Sequence, residues 1–317
     1  MEIFKVIESG LLTTVQDEGR ARFRLDGISE GGAFDKFALA MANKCVGNEF
    51  NTPSLEITLV GPKLVLLNDA VIALTGANLG ARVNNKFIGM YKPITVKKGD
   101  IISFGRRKWG CRTYLAVTGG ILCEKVFGSF STDSRIGLGG MKLLAGQIIE
   151  GGNFISSETK TFEYSKRVVK SIYNNLEEIE VIEGPDLEFF DEESYRIFYS
   201  SIYEVTMYLD RSGIRLIGQP IKRKNEEMLS RPTTIGNIQI MPDGQPIVLG
   251  ADCQTIGGYP RIATVISADI CKLAQLVPGD KIKFKPTNIS AAVTKLKTIK
   301  NLLSLINIAY VEGGNIL

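Results

Sequence analysis

The segment EIEVIEGPDLEFF, residues Glu178–Phe190, repeats in outline an earlier stretch, LEITLVGPKLVLL, residues Leu55–Leu67. The shared spacing is Glu-x-x-x-x-Gly-Pro-x-Leu from Glu56 to Leu64 and Glu-x-x-x-Gly-Pro-x-Leu from Glu180 to Leu187. Each half later reaches a Gly-Asp pair, Gly99-Asp100 and Gly279-Asp280, followed by Ile102-x-Phe104 and Ile282-x-Phe284. Self-similarity in this order predicts an internal duplication, with two related β domains as its simplest form.

Outward from these segments the chain is a series of short β-rich runs. VIALTGA (Val71–Ala77), ITVKKGDIISFG (Ile94–Gly105), TYLAVTGGI (Thr113–Ile121), YEVTMYL (Tyr203–Leu209), GIRLIG (Gly213–Gly218), GNIQIMP (Gly236–Pro242) and QPIVLGAD (Gln245–Asp252) are rich in Val, Ile, Leu, Thr and Tyr. Gly, Pro, Asn and Asp punctuate them, as they punctuate strands in barrels and sandwiches. Helices are few. Phe34, Phe37, Ala38, Met41, Ala42 and Cys45 mark one face of a 3.6-residue period ending near Gly47. Ser267 can cap a second helix with Ile270, Leu273 and Ala274 on its buried side, stopped by Pro278-Gly279. Val293, Leu296, Ile299, Leu302, Leu303 and Ile306 predict a third near the C-terminus. The expected division is a first β domain over 1–155, a Lys-, Glu- and Ser-rich linker over 156–178, and a second β domain with the C-terminal helix over 179–317.

At 317 residues the length suits two ordinary domains, and 44% hydrophobic with 23% charged residues is a globular composition. The formal charge of +4 is small. Only GRRKWG, Gly105–Gly110, concentrates base, and it reads as a solvated hairpin tip, so nucleic acid is not an expected partner. No window approaches the roughly 18 apolar residues of a membrane span, and MEIFKVIESG lacks a basic start with a long apolar core. A cytoplasmic protein without a membrane partner is expected. The five cysteines, Cys45, Cys111, Cys123, Cys253 and Cys271, form no Cys-x-x-Cys pair and read as reduced thiols.

Two segments carry site-like chemistry. GLLTTVQDEGR (Gly10–Arg20) leads into GISEGGAFD (Gly27–Asp35), where Gly31 and Gly32 permit close backbone approach and Asp17, Arg20 and Asp35 can orient a polar ligand or pair with one another. GNIQIMPDGQPIVLGADCQTIGGYPR (Gly236–Arg261) places Gln239, Gln245 and Gln254 beside Asp252. Carboxamides both donate and accept, which suits an amide, urea or lactam, and Asp252 can act as base or orienter. Within this run MPDGQP reads as a turn, leaving Asp243 and Gly244 no other role. The chain has no Gly-x-x-x-x-Gly-Lys-Ser/Thr loop and no histidine, which excludes a P-loop site, a Ser-His-Asp device and a His-based metal site. Lys142, in GGMKLL, follows a methionine but lacks the rest of a biotin-attachment motif, and reads as a loop lysine.

Taken together, GLLTTVQDEGR, GGAFD, LEITLVGP, ALTGA, YLAVTGG, IQIMPDGQPIVLGADCQTIGGYP and AQLVPGD resemble the KipA family, also called the C component of 5-oxoprolinase or allophanate hydrolase subunit 2, from about Gly10 to Phe284. GRARFRLDG departs from the family's usual wording at Ala21, Arg22 and Phe23, DRSGIRLIG at Ser212 and Ile214, and LSRPTTIG lacks the family's Ser-Glu-Gly, while Arg211, Gly213 and Arg215 are kept. The resemblance implies a mainly β fold of two cyclophilin-like barrels with a few short helices. It implies one component, inactive alone, of an ATP-dependent enzyme that opens 5-oxoproline to glutamate. Its implied partners are a KipI-like B component and an A component of the 5-oxoprolinase, with ATP acting at the level of the complex. Two alternatives stand beside it. One is a biotin-dependent carboxyltransferase component acting on urea or a related amide; the other is a regulator that antagonises a KipI-like histidine-kinase inhibitor. On this reading Asp252, Gln254 and Tyr259 are the catalytic candidates. Asp17, Arg20, Gly31, Gly32, Asp35, Gln239, Gln245, Thr255, Gly257, Gly258 and Arg261 are the substrate-binding candidates, no metal is expected, and Arg20, Arg211 or Arg261 supplies positive charge.

Overall fold

A computed structural model of the protein describes residues 1–152, 161–224, 228–305 and 307–309. The chain forms two compact units. One gathers Met1–Arg20, Asp35–Ile172 and the described residues from Leu302 on; the other gathers Ala21–Phe34 and Tyr173–Asn301.

The first unit contains a seven-stranded and a five-stranded sheet. In the larger, Glu2–Glu8 runs antiparallel between Ile148–Gly151 and Lys63–Leu66. In the smaller, Trp109–Val117 runs antiparallel between Ser54–Thr58 and Ala70–Asn78. Ile3, Phe4, Leu64, Ile72 and Leu115 of these strands meet in one apolar core. Helix α1, Lys36–Cys45, buries Phe37, Ala38, Met41, Ala42 and Cys45, and Leu39 and Ala40 as well, so it is enclosed on more than the one expected face. Asp35 caps it by accepting the Ala38 N–H at 2.9 Å. Behind the cap runs a buried polar chain. The Tyr114 hydroxyl accepts from the Asp35 N–H at 2.8 Å and donates to Glu56 at 2.6 Å. Burial first, and the Glu56 charge second, hold the Tyr114 phenol well above its ordinary pKa.

The second unit is built on a closed barrel of seven strands. In barrel order these are Glu178–Glu183, Arg261–Val265, Asn237–Ile240, Pro246–Leu249, Gly213–Ile217, Tyr203–Leu209 and Lys281–Pro286. The last pairs in parallel with the first and closes the ring, which leaves this sheet no open edge. The period-2 pattern sorts the side chains: Ile214, Leu216, Ile238, Ile240 and Val248 enter the core. Phe34, brought in by the segment Ala21–Phe34, joins the same core and therefore does not belong to the buried face of α1.

The internal repeat is visible as matched turns. Asp100 accepts the Lys97 N–H at 2.8 Å, and Asp280 accepts the Val277 N–H at 2.9 Å. Gly99 and Gly279 share φ values of 92° and 91°, and each donates its N–H to the neighbouring strand, at Leu66 and Val205. The two Gly-Pro stretches diverge after the proline. Leu64 continues in the strand Lys63–Leu66, whereas Leu187 enters a 3-10 turn, Leu187–Phe189, because Asp186 is turned onto Arg261 and Arg231. Of the stretch 156–178, residues 156–160 lie outside the described residues; the remainder contains the strand Thr161–Glu163 and helix α2, Lys166–Ile172, anchored by buried Val168 and Ile172.

Ser267 begins a 3-10 turn that leads into helix α3, Ile270–Gln275, with no side-chain cap; Leu273 and Ala274 are buried and Ile270 partly so, but Cys271, Lys272 and Gln275 are buried too, so the helix is enclosed on more than the expected face. Helix α4, Ile289–Leu303, buries Ile299 and Leu303 while Val293 is exposed; Ile306 lies outside the described residues. No described helix is long and apolar enough to cross a membrane. The five cysteines form no disulfide among the described residues, and four of them are buried.

Candidate functional site

Strand pairing at Gly213 and Leu249 brings the turn after Leu209 against the loop after Leu249. At this junction Arg211 donates from Nε and Nη2 to the two carboxylate oxygens of Asp252, at 2.7 and 2.8 Å. The side chains are 4% and 3% exposed, so the pair is a buried, two-pronged fork of the kind only arginine makes with a carboxylate. The same Nη2 donates to the Gly32 carbonyl at 2.6 Å, and the Gly31 N–H donates to the Ala251 carbonyl at 3.1 Å. Gly31 and Gly32, both at positive φ, thus bond Ala251 and Arg211, the two residues next to and paired with Asp252, from far away in the sequence. Close packing fixes Gly250 too, since a Cβ there would collide with the Arg211 carbonyl.

Beside this fork the outer face of the barrel holds a cleft of about 600 Å³, within the range of small-molecule sites. Its polar lining includes Tyr208, Asp210, Arg215, Gln239, Gln254 and Tyr259. The alternation that sends Ile214 and Leu216 inward turns Arg215 outward, and the same rule turns Gln239 out between Ile238 and Ile240. Gln239 is almost fully buried and donates to the Tyr259 carbonyl at 3.3 Å. Gly257 leaves it room, because a Cβ at that position would come within 2.7 Å of the Gln239 amide nitrogen. Thr233 holds the loop by donating to the Gln254 carbonyl and by giving its N–H to the Thr255 carbonyl. Gly258 and Tyr259 are exposed at the rim.

The other candidates are placed elsewhere. Asp17 accepts from the Gly19 N–H, the Ser129 hydroxyl and the Phe130 N–H in the first unit. Arg20, 1% exposed, donates to the carbonyls of Val126 and Ser131. Both stitch the loop 126–131, and Asp35 caps α1. Gln245 uses its carboxamide on the Gly218 backbone, accepting at 2.9 Å and donating at 3.3 Å. Arg261 forks Asp186 at 2.6 and 3.0 Å, with Arg231 adding a third contact at 2.6 Å. Burial alone would raise the Asp186 pKa, but the hydrogen bonds and charge of Arg261, helped by Arg231, outweigh it and hold the carboxyl below its ordinary value.

Sequence reasoning did not select Arg215, Tyr208 or Asp210 as ligand contacts. The alternation in GIRLIG carried the signal for Arg215, but which strands share its face is fixed only by barrel closure. Among the described residues no group of three or more Cys, Asp or Glu is placed to hold a metal ion.

Chemically, then, this is a mainly β protein with a cleft of carboxamide, phenol and guanidinium groups on a barrel face, backed by a buried ion pair. The chain belongs to the carboxyltransferase domain family, subdomains A and B, whose pattern matches residues 26–286. It is 39% identical over 295 residues to the C component of 5-oxoprolinase from Escherichia coli (strain K12), covering 92% of this chain and 93% of that one. Urea amidolyase of Saccharomyces cerevisiae is 32% identical over 306 residues, but the match spans 89% of this chain and only 16% of that protein. Among solved structures, the Kluyveromyces lactis urea amidolyase matches all of this chain with a TM-score of 0.87 and 29% identity, and this chain spans a fifth, 20%, of its length.

Proposed function

We propose that this chain is the C component of an ATP-dependent 5-oxoprolinase, acting with the A and B components to open 5-oxoproline to glutamate. One observation carries the reading: the end-to-end match to the C component of a 5-oxoprolinase, 93% of that protein's length, against 16% of the urea amidolyase. The cleft supports it, since Gln239 and Gln254 present carboxamides of the kind that pair with a lactam.

An unstrained amide resists water because resonance stabilises its C–N bond. ATP acting at the level of the complex overcomes this by phosphorylating the lactam oxygen. That transfer releases ADP and the ring N–H proton; water adds to the phosphorylated carbonyl carbon, the ring C–N bond breaks to leave an acyl phosphate on the opened chain, and a second water hydrolyses this to glutamate and phosphate. In this scheme the carboxamides orient the ring, and Tyr259 at the rim contributes a hydroxyl. Asp252, forked by Arg211, acts as a positioning residue that fixes the loop carrying Gln254 and Tyr259.

Carboxyl transfer to urea or a related amide is the second reading, favoured by the urea amidolyase likeness. The same carboxamides suit the ureido ring of biotin, which when bound supplies the carboxyl group. The test is co-expression with the A and B components, followed by assay of the purified assembly. ATP-dependent glutamate release from 5-oxoproline is expected; no release, with urea-dependent consumption of carboxybiotin, would replace the first reading by the second.

A further inference from the structure

We infer that Arg215 reads the carboxylate of the ligand in the barrel cleft, making the cleft selective for a lactam acid over a neutral amide. The inference rests on the lactam-opening reading above.

Arg215 pairs with Ile247 on one neighbouring strand, and Ile247 pairs with Gln239 on the next. The three residues form one row across the outer face. Strands lie about 4.8 Å apart, so the backbones bearing Arg215 and Gln239 are roughly 10 Å apart with an apolar floor between them. Side chains reaching in from both ends leave a gap suited to a five-membered ring with a carboxylate on one side and a ring amide on the other. The Gln239 carboxamide oxygen accepts no hydrogen bond among the described residues, which leaves it for a lactam N–H.

Arg215 differs from the other candidate cations in what it bonds. Arg211 is committed to Asp252, Arg261 to Asp186, and Arg20 to two backbone carbonyls. Arg215 is half-buried, lines the cleft, and has no ion pair or guanidinium hydrogen bond among the described residues. Its guanidinium carbon lies 5.8 Å from the Tyr208 ring centroid, a contact that orients the planar group without neutralising it. Asp210, the one carboxylate in the lining, accepts from the Ser212 and Gly213 N–H groups at 2.6 and 3.0 Å through a single oxygen. A guanidinium with no ion pair among the described residues, above apolar Ile247 and Leu249, is matched by a planar carboxylate, which takes both prongs of the fork.

Two measurements test this. In the assembled enzyme, Arg215→Met should raise KM for 5-oxoproline about 10- to 100-fold, the range of a charge-assisted hydrogen bond, with a smaller effect on kcat because a carboxylate remote from the scissile bond is held alike in ground and transition states. Arg215→Lys should recover part of the loss. In the second, wild-type assembly should bind 5-oxoproline more tightly than 5-oxoprolinamide, and Arg215→Met should erase the preference while keeping the wild-type unfolding midpoint. An unchanged KM in an active Arg215→Met enzyme overturns the assignment and leaves the lactam-opening reading standing. A wild-type assembly that turns over no 5-oxoproline yet prefers acid over amide through Arg215 sinks that reading alone. Equal binding of acid and amide by wild type overturns the assignment outright.

Discussion

Arg211 and Asp252 form the most consequential pair in the second unit, because both are buried and the guanidinium meets the carboxylate with two charge-assisted hydrogen bonds. Replacing Asp252 with Asn keeps the shape but removes the charge that compensates a buried guanidinium, a loss of about 3–5 kcal/mol in comparable pairs. Asp252→Asn is therefore expected to lower the denaturation midpoint together with the activity of the assembly. An inactive variant of wild-type stability would instead make Asp252 a group acting on the substrate. Asp186 offers a pH test of the same logic. Its folded pKa is depressed, so its contribution to stability is complete above the unfolded-state value near 3.9 and is lost as pH falls from there through the folded value. Asp186→Asn should flatten this part of the acid-unfolding profile; an unchanged profile would mean that other carboxylates govern it.

At the scale of elements, the site is the product of two tight approaches that the barrel enforces. Gly250 donates its N–H to the Ser212 carbonyl at 2.8 Å, and its α-carbon sits where a methyl group would strike the Arg211 carbonyl. Gly250→Ala should push the 210–213 turn from the 250–255 loop and open the fork, at about 1–3 kcal/mol if the cost is that of ordinary overpacking. Hydrogen exchange checks this through faster exchange at the Gly31 and Asp252 amides, whose acceptors are Ala251 and Arg211. Exchange rates equal to wild type would mean the turn yields without disturbing the site. The matched Gly-Asp turns at 99–100 and 279–280 carry the opposite lesson, for their bonding is local and was legible from the spacing alone.

For the whole molecule, the decisive feature is that Ala21–Phe34 belongs to the second unit although it lies near the start of the chain. It supplies Phe34 to the barrel core, the Gly32 carbonyl to Arg211, and the Gly31 N–H to Ala251. A fragment of residues 173–301 should consequently lack a native-like amide spectrum, and appending residues 21–34 should restore dispersion and raise its unfolding midpoint. A well-dispersed spectrum from 173–301 alone would show that the segment is dispensable to the barrel.

The sequence by itself determined the mainly β composition, the repeat, the Gly-Asp turns and the carboxamides Gln239 and Gln254, because all of these depend on periodicity or on chemistry within a few residues. It did not reveal which charges were already taken. Arg20, Arg211, Arg215 and Arg261 are equivalent cations in a string of letters. Only tertiary structure gives Arg20 to the 126–131 loop, Arg211 to Asp252 and Arg261 to Asp186, leaving Arg215 facing the cleft. The physical reason is that a guanidinium's role depends on partners brought to it by strand register and barrel closure, and those contacts join residues tens to hundreds of positions apart.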